Sequence, residues 1–197
     1  GSEMCIRDSN MNIEKGILQL ADYYEKFEAG ASSAYLIINE NMRDYKAMFG
    51  FAELGEDKEE WKEIFSRMED KAKEMGYSSL VGPLNYCTWM SYRWAISRFD
   101  MKLFPDCTNP PFYPEYIKEL GYRELYTYRS AEIAINNPLN EVGKQVYSEK
   151  MKEGYSFVTV EKEEAFAYVK EVYEISKNAF SDALLYSDIP FEVFEKL

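Results

Sequence analysis

An α+β domain, with a mixed central sheet flanked by helices, is what this 197-residue chain predicts from three features. Two neighbouring β-type runs, Ser32–Glu40 and Tyr45–Leu54, are parted by the polar tetrad Asn41-Met42-Arg43-Asp44, which reads as a hairpin. The stretch Asp57–Gly76 carries Trp61, Ile64, Phe65, Met68, Ala72 and Met75 on one helical face and charges on the others. The segment Asn109–Tyr122 reads as loop, short helix and strand entry. Pro110 and Pro111 forbid a helix up to that point, Pro114 suits a first turn, and Gly121 suits a C-cap.

The remaining elements follow in chain order. Residues 1–10 read as a tag and adapter scar and are set aside, Cys5 with them; the natural chain is expected to begin further upstream. Asn12–Ala29 has helical spacing through Ile13, Ile17, Leu20, Tyr24 and Phe27 and stops at Gly30. Both hairpin strands are apolar at nearly every position, which predicts cover on both faces, and Gly50 marks a bulge or a close backbone approach. Asp57 caps the long helix, with Glu59 and Glu60 at the positive end of its dipole. Tyr77–Val81 is a short core strand closed by Gly82-Pro83. Between Asn85 and Thr108 the pattern fits a turn or two of helix near Trp89–Ile96 and an extended piece at Phe99–Phe104.

Beyond Gly121, Arg123–Ile135 reads as a long strand, Leu139–Glu153 as an amphipathic helix and Tyr155–Glu161 as a strand. Glu163–Phe180 is helical, and Asp188-Ile189-Pro190 opens a last helical piece. This divides the chain into a core at 11–135, a connecting helix at 136–154 and a strand-helix-helix tail at 155–197. The core lacks a first strand of its own in this reading. Strand 155–161 is therefore expected to complete the sheet, within the chain or in a homodimer, because an uncovered edge and helix face are costly.

Composition narrows the function. The residues are 46 % hydrophobic and 29 % charged, enough to bury a core. A formal charge of −12 argues against nucleic acid, even through Trp89, Tyr92, Arg93 and Trp94, and against an anionic membrane surface. No apolar run is long enough to span a bilayer. Three Cys without metal spacing predict a reduced, cytoplasmic chain. The absence of His excludes a His-dependent triad within the chain and argues against a zinc site. The 17 Tyr contribute to an aromatic content of 16 %, as half-buried sheet positions or as the lining of a pocket.

The segment Asn109-Pro110-Pro111-Phe112-Tyr113-Pro114, with Tyr116 and Gly121-Tyr122 after it, resembles the fourth-helix region of the GNAT N-acyltransferase superfamily. Gly82-Pro83-Leu84-Asn85 is similar to a second segment of a bacterial GNAT-like subgroup, and the resemblance runs from Ser32 to Ile135. In that subgroup two such units often stand in tandem, and the tail resembles the opening of a second. The resemblance implies a cleft between two diverging parallel strands that admits acetyl-CoA or another acyl-CoA. An amine of a small molecule or peptide would attack the thioester directly. A Glu would serve as base, and a fourth-helix Tyr would protonate the departing thiolate.

Carried onto this sequence, the resemblance makes Tyr116 the acid and Glu53 the base. It places Asn109, Gly55, Asn85 and Tyr113 around the cofactor. Each has a plainer reading: Tyr116 as a packing residue, Glu53 as an exposed strand end, Asn109 as an Asx turn, Asn85 as a loop cap. Counting back from Gly121 puts the acid at Ile117 instead. Thr88 could line the same cleft. Cys87 has no His to activate it as a nucleophile. The phosphate loop departs from the family pattern Gln/Arg-x-x-Gly-x-Gly/Ala. Leu54-Gly55-Glu56-Asp57-Lys58-Glu59-Glu60 keeps one glycine and crowds carboxylates at the helix start. Like charges about 4 Å apart repel by roughly 1 kcal/mol in water. A GNAT-like domain without CoA chemistry, acting as a binding or assembly module, is the alternative.

Overall fold

The strand that begins the sheet comes from a stretch whose spacing predicted helix. Residues 14–101, 108–161 and 163–197 are described in the computed structural model. The scar, Cys5, Asn12, Ile13, Cys107 and residues 102–104 of the expected extended piece lie outside the described residues. Residues 14–18 are helical as predicted, but Tyr23–Ala29 forms strand β1. Its side chains alternate between cover and solvent, and Tyr24 and Phe27 satisfy a helical count only by coincidence. Pairing with the next strand settles the choice. Gly30, at φ 54°, is the turn residue of a two-residue hairpin loop, not a helix cap.

Strands β2 (Ser32–Ile38) and β3 (Ala47–Glu53) follow as predicted, and the described sheet is antiparallel in the order β1-β2-β3. Tyr35 pairs with Gly50 and Ser33 with Glu53, so β3 carries one extra residue in that interval. Phe51 absorbs the bulge at φ 45°. β1 occupies the place beside β2 that was expected to be vacant. Residues 155–161 form no ladder among the described residues, and neither do residues 123–135. The alternation in both runs is real, but a strand is defined by its ladder to a neighbour, and the described residues contain no such ladder for them.

Helix α1 (Lys58–Glu74) starts at Asp57, whose carboxylate accepts from the Glu59 N–H at 2.9 Å. It lays Trp61, Ile64, Phe65 and Met68 on one side of the sheet, against Phe27, Leu36 and Phe49. The other side buries Ile37, Met48, Leu84, Tyr86 and Met90. Cover on both faces is therefore present, as the continuous apolar strands require. Of the expected strand Tyr77–Val81, only Val81 bridges Met48, in parallel. Helix α2 (Tyr113–Glu119) has Pro114 in its first turn and is followed by Gly121 at φ 93°. Helices α3 (Leu139–Lys152), α4 (Ala165–Phe180) and α5 (Phe191–Phe194) match the periodicity. Among the described residues no helix is long and apolar enough to cross a membrane.

The chain divides into two units. One comprises the sheet, α1, α2 and, through Lys170–Leu197, most of α4 and the tail; the other is Arg123–Val169. In the first, the tail covers a face instead of extending the sheet. Leu185 and Ile189 enter the second core layer, the Leu185 carbonyl accepts from the Thr88 N–H, and the Tyr173 hydroxyl donates to the Ile189 carbonyl at 2.7 Å. In the second, α3 buries none of its side chains, and Ile133, Ile135, Tyr155, Phe157 and Val158 are exposed.

Candidate functional site

The site is set by the outer edge of β3, where its parallel neighbour peels away. Val81 bonds into this edge on both sides of Met48: the Phe49 N–H donates to its carbonyl at 2.9 Å, and its own N–H donates to the Ala47 carbonyl at 3.1 Å. The Leu84 N–H then reaches the Phe49 carbonyl at 2.9 Å. Backbones approach so closely here that a Cβ on Gly50 would stand 2.4 Å from the Leu84 carbonyl oxygen. A Cβ on Gly82 would meet the Phe49 carbonyl oxygen at 2.6 Å. Gly50 is thus both a close approach and the neighbour of a bulge, the two meanings its position carried. After Leu84 the chain turns back on itself, with Leu84 bridging Tyr92 antiparallel, and no described strand runs along the outer edge of Phe51–Glu53, the edge away from β2.

Side chains take over the backbone groups that the departing strand leaves. The Asn85 amide oxygen accepts from the Phe51 N–H at 2.7 Å. One turn further, the Tyr113 hydroxyl accepts from the Leu54 N–H at 2.8 Å and donates to the Leu54 carbonyl at 2.9 Å. Tyr113 is buried, and that burial raises the pKa of its hydroxyl, with the Glu53 carboxylate adding to the effect. Asn109 behaves alike at a different backbone: it accepts from the Ala95 N–H at 2.6 Å and donates to the Ala95 and Pro110 carbonyls. Its Asx-like bond to Pro110 is real, but the longer reach to Ala95 is what fixes the start of the α2 segment.

Aromatic rings pack on the α1 side of the diverging chains. Trp61 is the hub, with ring centroids 5.1 Å from Tyr113, 5.5 Å from Tyr116 and 6.1 Å from Trp94. Phe49 stacks obliquely on Trp94 at 5.6 Å and meets Tyr122 edge-on. Tyr116 is half-buried and has the Lys58 ammonium 4.6 Å from its ring centroid. Ile117 packs on the same core. Glu53 is exposed at the end of β3, beside the Leu54 backbone that Tyr113 holds. The structure therefore brings Glu53, Gly55, Tyr113 and Tyr116 to one end of α1. Asn85 stands at the bulge and Asn109 at Ala95.

The start of α1 is occupied by the chain's own groups. Ser32 accepts from the Gly55 N–H at 2.8 Å and donates to Glu60 at 2.6 Å, while Glu60 also accepts from the Ala31 N–H. The Trp61 indole N–H donates to the Gly55 carbonyl. Lys58 holds both oxygens of Glu119, at 2.6 and 2.7 Å, and this bond raises its pKa. Glu56, Asp57 and Glu59 face solvent. Set against a nucleotide diphosphate, these groups do not fit: the cation is paired, the loop N–H of Gly55 is bonded, and the rim is anionic. The sequence did not single out Ser32, and it weighed Trp94 only as a nucleic-acid contact. A hydroxyl at the head of an apolar strand was the available signal for Ser32.

Other candidates resolve plainly. Cys87 is fully buried, and burial pushes its thiol up to about 12. The thiol stays protonated through neutral pH, so alkylation of native protein at pH 8 should leave the Cys87 peptide unmodified, and denaturation should expose it. Because the folded pKa lies above the ordinary value of 9.0, its contribution to stability is intact below pH 9 and fades between pH 9 and 12. A cleft of about 450 Å³ lies elsewhere in the same unit, lined by Arg43, Asp44, Tyr186 and Asp188 among others and by none of the predicted residues. Arg43 there is tied to Asp182 at 3.3 Å. Among the described residues no cluster of side chains could hold a metal ion. Comparison of the chain with family models, with curated proteins and with solved structures finds no match.

Proposed function

We propose that the first unit is a GNAT-like acyltransferase domain that moves an acyl group from a thioester to an amine. The observation that carries this reading is the parting of β3 from its parallel neighbour directly after the bulge at Phe51, beside the start of α1. In this reading a narrow arm lies beside the bulge, next to the main-chain groups that Asn85 and Tyr113 hold, with the aromatic cluster around Trp61 as its floor. Attack of a neutral amine on the thioester carbonyl forms the amide and expels a thiolate. Glu53, exposed at the strand end, takes the proton from the amine. Tyr116, half-buried one turn beyond the Tyr113 clamp, returns a proton to the leaving sulfur. Asn85, Asn109 and Tyr113 hold the backbone in this shape and are not assigned to the donor.

The reading is tested by release of free thiol from acetyl thioesters in the presence of a panel of small and peptide amines. Tyr116→Phe should lower the turnover at least tenfold while leaving the melting temperature within about 1 °C, because the ring stays packed. No thiol release above the blank with any thioester would end the acyl-transfer reading. The second reading, a binding or assembly module, is favoured by a specific observation: the carboxylates and the paired Lys58 at the start of α1.

A further inference from the structure

In the unit Arg123–Val169, the apolar face that periodicity marks on α3 stands in solvent. Leu139, Val142, Val146, Tyr147 and Met151 recur at helical spacing, yet each is 45–62 % exposed. Residues 155–161 continue the same surface. The Tyr155 N–H donates to the Lys150 carbonyl at 3.1 Å, and the Tyr147 and Phe157 ring centroids are 4.7 Å apart. Tyr155 and Phe157 are still 60 and 61 % exposed. Together these seven side chains expose on the order of 700 Å², more than one patch of a monomer usually shows and near the roughly 800 Å² that each partner gives to a stable protein interface.

Charge says what kind of surface covers this patch. Residues 123–169 hold six Lys and Arg against eight Glu, a net −2, although the whole chain carries −12. Along α3, Lys144 is paired with Glu141 at 2.7 Å and Lys150 with Glu153 at 2.6 Å. A strongly basic partner gains little here, and two copies of this acidic chain repel each other least where the charge is nearly balanced. Residues 155–161 add an alternating run with no ladder among the described residues, while β1 fills the place beside β2. Such a run is a template for pairing with another chain, and the same run in a second copy matches it in length and pattern. We infer that Arg123–Val169 is a homodimer interface. Two copies meet about a two-fold axis, with their α3 faces in contact and residues 155–161 pairing antiparallel across the axis. The inference is independent of the acyl-transfer reading and stands if that reading fails.

The test is sedimentation equilibrium of the whole chain from about 1 to 100 µM, with hydrogen exchange at both ends of that range. It is run on the wild type and on Val142→Glu, Val146→Glu and Ser148→Glu. Val142 and Val146 lie in the patch, whereas Ser148→Glu adds the same charge on the opposite, exposed face of α3. The expected result is an assembly that closes at two copies, with the amides of residues 155–161 exchanging more slowly at the upper concentration. Val142→Glu and Val146→Glu should each raise the dissociation constant at least tenfold, and Ser148→Glu should leave it within about twofold. Since all three positions are exposed, each variant monomer should melt within about 2 °C of the wild-type monomer. A wild type that is monomeric at the upper concentration, or that grows past two copies without limit, would overturn the inference. So would a dimer indifferent to both patch variants, or one whose 155–161 amides exchange as fast as the monomer's. Patch variants that melt far below the wild type where both are monomers would show that the face is covered within the chain, and would overturn it as well.

Discussion

Replacing Gly50 by alanine should lower the melting temperature by roughly 4–24 °C. The added Cβ would lie 2.4 Å from the Leu84 carbonyl oxygen and 2.8 Å from the Asn85 amide oxygen. The first is main chain, held by the antiparallel bridge from Leu84 to Tyr92, and cannot rotate aside. Relief therefore requires residues 82–85 to move off β3, which breaks the bond from Leu84 to Phe49 and the one from Phe51 to Asn85. Overpacking with backbone displacement costs about 1–3 kcal/mol, and a buried N–H left without a partner about 1–3 kcal/mol more. A chain of this length loses about 2–4 °C per kcal/mol. Asn85→Ala tests the shares separately, because it frees the Phe51 N–H without adding a clash. A Gly50→Ala protein that melts within 1 °C of the wild type would mean the two backbones are not in contact.

Periodicity carried the helices because a helix closes its own hydrogen bonds. The faces of α1 and α2 follow from spacing alone, and so does the Asp57 cap; of the apolar face that spacing marks on α4, Tyr173 is buried while Phe166, Val172 and Phe180 are exposed. Strands need a partner, and there the sequence was a poorer guide in both directions. Tyr23–Ala29 is a strand because Ser32–Ile38 lies within a two-residue turn of it, although its apolar residues also fit a helical count. Residues 123–135 and 155–161 alternate like strands and form no ladder among the described residues. Site residues show the same limit. Asn85 and Asn109 stood out through the segments that carry the resemblance, but their partners, Phe51 and Ala95, lie 34 and 14 residues away. A motif marks such a residue as occupied without saying by what. Ser32 was passed over for the complementary reason, since its partners Gly55 and Glu60 become neighbours only when β2 reaches the start of α1.

Tyr113→Phe should cost about 2–4 kcal/mol, or roughly 5–15 °C in melting temperature, while Tyr116→Phe on the same helix costs almost nothing. The phenyl ring keeps every contact of the tyrosine ring, including the edge-on packing against Trp61 at 5.1 Å and Trp94 at 4.9 Å. What disappears is one oxygen that accepts from the Leu54 N–H and donates to the Leu54 carbonyl. Leu54 is buried, so both groups of its main chain lose the Tyr113 hydroxyl at once, and among the described residues the β2–β3 ladder ends at Glu53. The consequence reaches beyond stability. Leu54 is the joint between β3 and the loop to α1, so its tether fixes how far Gly55 and Glu53 stand from α2. Hydrogen exchange at the Leu54 amide should accelerate in Tyr113→Phe by more than the global loss of stability accounts for, and thiol release should fall even at temperatures where the variant is fully folded. An unchanged melting point with unchanged exchange would show water taking the place of the hydroxyl. The gap beside β3 would then be wet, and a thioester lying in it would meet solvent where the acyl-transfer reading requires its exclusion.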